Sequence, residues 1–520
     1  MGTDFPLRVM GKQDGFTSRL PLEWISGPNI LAVLAVLFLI RGLLGRFTSP
    51  LRKYPGPLIA SFSNVWKAWI VYKGRCEHDH IDLHNKYGPI VRTGPNELSF
   101  ASPDAAKDIL TSGKGVSKTD FYWVFPPPGQ PDVFTEIREW KHAQLKRSTV
   151  KPYNLTSMQK STAAIEDVER ELIEKLDALA NHEGAICDLG NWLHWFAFDV
   201  LGEVAFSHRY GFLRNATDVE NCISTIDHMQ FYDGLVGQIP WLHYFLLGNP
   251  IIYYLLTLKP ILVTRMALGE MQQRKLNDHE GRQKGGRDDL LAQLLQAHNS
   301  SPDKFSEGDV FAVAHGAIFA GSDSTASTMQ SFFWLLLNSP QSYQKLLDEI
   351  DTAESNGLLS EMVTFAEAQD LPYFQACLNE AMRLRPAVGL NIYRKLPPEG
   401  LTIDGTFYPG GTEVAVNGWV LHRNKDVFGP DAELYRPERW LEPNAKRMQR
   451  YMYQFGGGSH LCLGRNLALY EMNKVLPQLL RRYHFELVHP GRPLKHHTSF
   501  FVVQNGLEVF ISHRNAAATK

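Results

Sequence analysis

Positions 24–40 carry no charged residue, and positions 30–40 (ILAVLAVLFLI) are continuously apolar. At about 1.5 Å per residue such a stretch spans roughly 26 Å, close to a thin endoplasmic reticulum bilayer. Arg41, Arg46, Arg52 and Lys53 follow it, while Arg8, Lys12 and Arg19 precede it, offset by Asp4, Asp14 and Glu23. The cationic excess on the C-terminal side predicts a body that faces the cytosol. The pattern therefore predicts a lumenal tail over 1–23, one transmembrane anchor over 24–45 and a Pro-rich linker over 46–57. A single domain is expected over 58–520. A cleaved signal peptide is the rival reading, opposed by the long polar lead and the lack of an A-x-A site.

Beyond the linker, residues 90–92 and 98–100 read as short strands broken by Gly94-Pro95, and Pro103-Asp104 opens a helix. Helical periodicity then dominates from about 139 to 296, interrupted at 237–240 and 281–286. Residues 231–264 are unusually apolar but hold three Pro, which predicts paired helices over a cavity mouth; ordinary core packing is the alternative. A capping-box start at Ser306 and Asp309 opens an apolar run that reaches Leu337, predicting one helix of about 45 Å. Later, Asp404-Gly405 between 401–403 and 407–408 signals a hairpin, and 414–416 a further strand. The expected fold class is mainly α with small β-sheets. No inner domain boundary is visible, so one large domain is expected despite the length of 520 residues.

Composition narrows the function. Hydrophobic residues at 44% against 21% charged can bury a large core, and a net charge of −2 gives no general basic excess for nucleic acid. Five scattered Cys argue against a disulfide framework and a CxxC zinc site.

Three segments carry chemistry. The run Phe455-Gly-Gly-Gly-Ser-His-Leu-Cys-Leu-Gly464 has glycines that let backbone lie against a flat ligand, and then Cys462 just before a helix. Backbone N–H groups and the positive helix end there favour a thiolate, which haem iron accepts as an axial ligand. A buried structural Cys, a phosphate loop or a thiol nucleophile remain open on spacing alone. In Ala320-Gly-Ser-Asp-Ser-Thr325, an acid beside hydroxyls (Asp323, Ser324, Thr325) in an apolar helix could relay protons to a bound oxygen species. Hydroxyls bonding back to the preceding turn are the plainer alternative. Glu380 and Arg383 stand three apart on one helix face, and Arg436-Pro-Glu-Arg439-Trp follows.

In this order and spacing, these segments resemble the cytochrome P-450 haem-thiolate monooxygenases over about residues 50–512. The resemblance implies the family's mainly helical fold with small sheets, here preceded by the N-terminal transmembrane helix, and haem b ligated by the Cys462 thiolate. Glu380, Arg383 and Arg439 would form a structural ion-pair cluster. His142 and Lys146, Arg394 and His460 match segments that hold haem propionates, with Phe455, Gly456 and Gly464 in the Cys loop. Ser324 stands where the family usually has Thr. The segments Ser117-Lys-Thr-Asp-Phe-Tyr122, Phe198-Asp-Val-Leu-Gly-Glu-Val-Ala-Phe206 and Gly237-Gln-Ile-Pro-Trp-Leu-His243 are similar to filamentous-fungal enzymes of the pisatin-demethylase type. The implied function is oxygen insertion into an apolar small molecule, in secondary-metabolite biosynthesis. The implied partners are the bilayer of the endoplasmic reticulum and an NADPH-dependent reductase carrying FAD and FMN, docking on Lys141, Arg147, Lys446, Arg447 and Arg450. Rival functions are a detoxifying O-demethylase, an isomerase or dehydratase that does not use O2, and a non-catalytic haem protein.

Overall fold

The computed structural model describes residues 27–125, 130–258, 260–279 and 288–514. The expected lumenal tail at 1–23 and the interruption at 281–286 lie outside them. A helix, Gly27–Thr48, occupies most of the stretch read as an anchor. Among the described residues, however, no helix is long and apolar enough to cross a membrane. The expected transmembrane span is corrected on that ground. Its unbroken apolar run covers only positions 30–40, about 16 Å of helix, before Arg41, Gly42, Gly45 and Arg46 intervene. That is short of a hydrocarbon core of roughly 27 Å.

The remainder is mainly helical with small sheets, as the periodicity predicts. The largest sheet has five strands in the order Ile90–Gly94, Glu97–Phe100, Glu413–Val416, Ile392–Lys395 and Ser117–Lys118. Its last pair is antiparallel and sets Lys118 opposite Arg394. The Asp404-Gly405 signal makes its hairpin: both residues take positive φ (48° and 73°), and Leu401–Ile403 pairs with Thr406–Tyr408. A second hairpin, Lys495–Thr498 with Val502–Asn505, turns through 499–501.

The capping box at Ser306 forms, its Oγ accepting from Asp309 N and Asp309 Oδ2 accepting from Ser306 N. The predicted single helix is nevertheless two, Glu307–Gly321 and Asp323–Leu337, separated at Ser322. The second packs on Leu189–Phe206, and both are buried almost throughout; Phe196, Phe198, Phe332 and Phe333 are inaccessible to solvent. Each such phenylalanine contributes about 1.5–3 kcal/mol by leaving water. This packing fixes the break against a rigid wall. The apolar stretch 231–264 forms the end of Cys222–Val236, the turn Pro240–Phe245 and Pro250–Leu258, leaving Trp241, Phe245, Ile251, Tyr254 and Leu258 exposed.

Candidate active site

The Glu307–Gly321 and Asp323–Leu337 helices form one wall of an interior cavity of about 320 Å³, and the Cys462 loop forms another. The loop turns tightly because Gly456 and Gly458 adopt positive φ (73° and 60°). A Cβ on Gly458 would stand 1.9 Å from the Leu110 carbonyl, so no other residue fits there. The Cys462 amide closes the loop on Phe455 O at 2.9 Å, and Gly464 precedes the helix Arg465–Arg482. The Cys462 sulfur lines the cavity. Burial pushes its thiol up, while the Gly464 and Arg465 amides and the cations Lys146 and Arg465 pull it down. Those groups favour the thiolate but do not outweigh the burial, and the thiol stays above its ordinary value.

Phe455, Gly456 and Gly464 line the cavity beside Cys462, as expected, and so do His142, Arg394 and His460. Burial, with Lys118, His460, Lys146 and Arg394 nearby, pushes His142 down to about 2, and burial lowers His460 despite Glu139. Both imidazoles are therefore neutral at neutral pH, their rings 4.3 Å apart. His460 Nε2 lies 3.1 Å from Glu139 Oε1 but off-line, so among the described residues neither ring nitrogen has a hydrogen-bond partner. Lys146 does not line the cavity. Its ammonium donates to Ser459 O (2.6 Å) and Leu461 O (3.3 Å), bracing the Cys loop from outside.

Ser324 and Thr325 line the cavity, with Oγ on Ala320 O (3.2 Å) and Oγ1 on Gly321 O (3.3 Å). The hydroxyls thus do bond back to the preceding turn. Asp323 points elsewhere: Oδ1 is 2.8 Å from His194 Nε2 and Oδ2 accepts from Gln230 Nε2 at 2.6 Å. Those two partners draw the acid out of the helix axis at the Ser322 break.

Behind the loop, Glu380 accepts from Arg383 Nε and Nη2 (2.8 Å each), Arg439 Nε (3.0 Å), Arg436 N (2.9 Å) and Trp440 Nε1 (2.9 Å). All three charged residues of the expected cluster are fully buried. Arg383 also donates to His422 O, and His422 Nε2 accepts from Tyr453 N at 2.8 Å, which joins the cluster to the start of the Cys loop.

The geometry agrees with comparisons to known proteins. The family model Cytochrome P-450 matches residues 55–510. The chain belongs to the cytochrome P-450 family. The cytochrome P-450 monooxygenase cicH of Emericella nidulans is 34% identical over 490 residues, 92% of this chain and 97% of the relative. The monooxygenase AFLA_114810 of Aspergillus flavus is 34% identical, covering 94% of this chain and 98% of its own. Pisatin demethylase of Fusarium vanettenii is 32% identical, covering 93% and 95%. The chain is accordingly a cytochrome P-450 monooxygenase.

The P-450 cavity fits the family's haem on its own chemistry. Cys462 would supply the sulfur ligand. Four nitrogen-bearing side chains, Lys118, His142, Arg394 and His460, line the same cavity. Lys118 and Arg394 are buried cross-strand neighbours, and neither has a carboxylate within ion-pair distance among the described residues. Burial, with Arg394 beside it, pushes Lys118 down to about 7 despite Asp132, Glu139 and Glu136, and Lys118 Nζ donates to the Val133 and Glu136 carbonyls; an anion brought to the pair would raise it again. The two carboxylates of haem are such anions, and the single N–H of neutral His460 is a further donor. Sequence reading missed Lys118, His194 and Gln230. The Ser117-Lys-Thr run drew notice only as family texture, and nothing local pairs the other two with Asp323.

Proposed function

We propose that this P-450 is a membrane-associated, haem-thiolate monooxygenase that oxidises an apolar small molecule in fungal secondary metabolism. The observation that carries it is the placement of Cys462 and the Ser324 and Thr325 hydroxyls in one mostly apolar cavity. Haem bound to Cys462 supplies activation of O2 and transfer of one oxygen atom to substrate, with electrons from NADPH through a FAD- and FMN-bearing reductase. The chain's own part is positioning and protons. Phe125, Phe319, Phe500 and Phe501 give the substrate an apolar enclosure that excludes water. Ser324 Oγ, on the cavity wall, is the hydroxyl that presents a proton there, while buried Asp323 beside it in sequence is held by His194 Nε2 and Gln230 Nε2.

The Ser324→Ala variant is expected to consume NADPH at near wild-type rate in a reconstituted system while forming several-fold less product. Thr325→Ala is expected to be milder. Equal product yield per NADPH in wild type and Ser324→Ala would remove that serine from the relay. NADPH-dependent turnover itself separates this reading from an isomerase or dehydratase.

A detoxifying O-demethylase is a second reading, favoured by the similarity to pisatin demethylase. Methoxylated aromatic substrates releasing formaldehyde on turnover would support it over a biosynthetic step.

For the electron supply, Lys446, Arg447 and Arg450 on or beside the helix Ala445–Gln449 precede the Cys loop and form the proposed docking face. Replacing all three by Glu is expected to slow reduction by the reductase, most strongly at low ionic strength, and to leave dithionite reduction unchanged. A reductase-driven rate equal to wild type in that variant would dismiss the patch. Attachment to the endoplasmic reticulum, with the domain in the cytosol, rests on the apolar N-terminal helix and the exposed side chains around Trp241 and Ile251. Glycans on the acceptor sequons Asn154-Leu-Thr156, Asn215-Ala-Thr217 or Asn299-Ser-Ser301 would reverse that orientation.

A further inference from the structure

The helix Cys76–Tyr87 meets the strand Lys495–Thr498 through three side chains that take no part in lining the cavity. Glu77 is fully buried at the helix start. Its Oε1 lies 2.9 Å from His496 Nε2 and 3.7 Å from His78 Nε2, and the three ligand atoms all lie within 4.8 Å of one another. In a tetrahedral site with metal–ligand bonds of about 2.0–2.1 Å, neighbouring ligand atoms stand about 3.3 Å apart. The two distances bracket that value, so small side-chain adjustments complete the geometry.

Orientation supports the same reading. His496 Nε2 donates to Glu77 Oε1 at 2.9 Å and Nδ1 lies 3.3 Å from Leu494 O, so the ring is already aimed at the carboxylate and a metal ion would take the place of the Nε2 proton. The strand is held in place independently, since Thr498 N donates to Gly74 O at 2.9 Å.

We propose that Glu77, His78 and His496 bind one divalent transition-metal ion of the Zn2+ class, with a fourth position left to water. Two imidazoles and one carboxylate suit Zn2+, Ni2+ or Cu2+ and disfavour the oxygen-seeking Ca2+ and Mg2+. The site has a consequence for the cavity. His496 stands at the base of a hairpin whose turn, 499–501, delivers Phe500 and Phe501 to the substrate enclosure. A bound ion ties that hairpin to the Cys76–Tyr87 helix and restrains both phenylalanines. The site is independent of the oxidation chemistry.

The test uses full-length, haem-loaded protein without a polyhistidine tag, stripped with chelator and titrated with Zn2+ by calorimetry. One saturable site is expected, with Kd raised about tenfold or more in His78→Gln and in His496→Gln. His497→Gln is the control, because His497 lies on the same strand but pairs with Asp227 at 2.8 Å; its Kd should equal wild type. Zn2+ should also slow amide exchange over residues 495–505 in wild type and not in His78→Gln. Absence of saturable binding, or equal Kd in wild type and both ligand variants, overturns the site. So does an equal loss in His497→Gln. A Kd shift without altered exchange overturns the link to the hairpin. His78 is partly exposed, so its variant retains the fold, and Zn2+-free melting curves of all three variants check this.

Discussion

Replacing Cys462 by Ser is expected to abolish the thiolate-type carbon monoxide difference spectrum and reduce turnover below detection. The fold should survive. The loop is closed by the backbone bond from Cys462 N to Phe455 O, by the positive-φ glycines and by the Lys146 ammonium, and none of these involves the sulfur. A serine hydroxyl fits the same space but is a much poorer donor to iron than a thiolate, which is what pushes electron density toward O–O cleavage. Haem could still be held through its carboxylates by Lys118, Arg394 and the two imidazoles, so residual pigment does not contradict the assignment. A Cys462→Ser protein that keeps the thiolate-type spectrum does contradict it. Lys118→Met distinguishes the two contributions: it is expected to speed haem loss to an acceptor protein while leaving the thiolate spectrum of the bound fraction intact.

What the sequence discloses divides along chain distance. The Cys loop, the Ser306 cap and the Asp404-Gly405 turn are each specified within a dozen residues, and each forms as read. The fold class follows from the same local periodicities. The broken helix reads in the sequence as one continuous run, because the partners of Asp323 at the break, His194 and Gln230, lie 129 and 93 residues away. Lys118 acquires meaning only when the sheet sets it opposite Arg394. Lys146 shows the reverse error, because the resemblance of its segment suggested a haem-carboxylate contact, and the helix instead carries it to the carbonyls of Ser459 and Leu461. At the N-terminus, the absence of charge over 24–40 outweighed the shortness of the strictly apolar run, and hydropathy alone overstated what that helix offers a bilayer.

Glu380→Gln is expected to destabilise the protein by about 3–5 kcal/mol, against a total stability of about 5–15 kcal/mol for a typical domain. The carboxylate accepts five hydrogen bonds, three on Oε1 and two on Oε2. An amide in its place turns one acceptor into an NH2 group that confronts donors already aimed at it, and leaves Arg383 buried with no carboxylate. Arg439 keeps only Asp431, at 3.1 Å. Restoring charge balance by also replacing Arg383 does not rescue the site, since its guanidinium serves the carbonyls of His422, Ala432 and Leu434 as well. Arg383→Lys should fail for the same reason, as a point charge cannot reach carbonyls and carboxylate together. The damage propagates through His422, whose Nε2 holds the Tyr453 amide at the entrance to the Cys loop, so haem retention should fall along with the unfolding midpoint. Arg436→Ala supplies the scale: its side chain is part exposed and its ion pairs with Asp431 and Glu442 are worth about 1 kcal/mol or less. If urea unfolding gave Glu380→Gln and Arg436→Ala the same loss, the cluster would be a spectator rather than the clamp that sets the loop beneath the cavity.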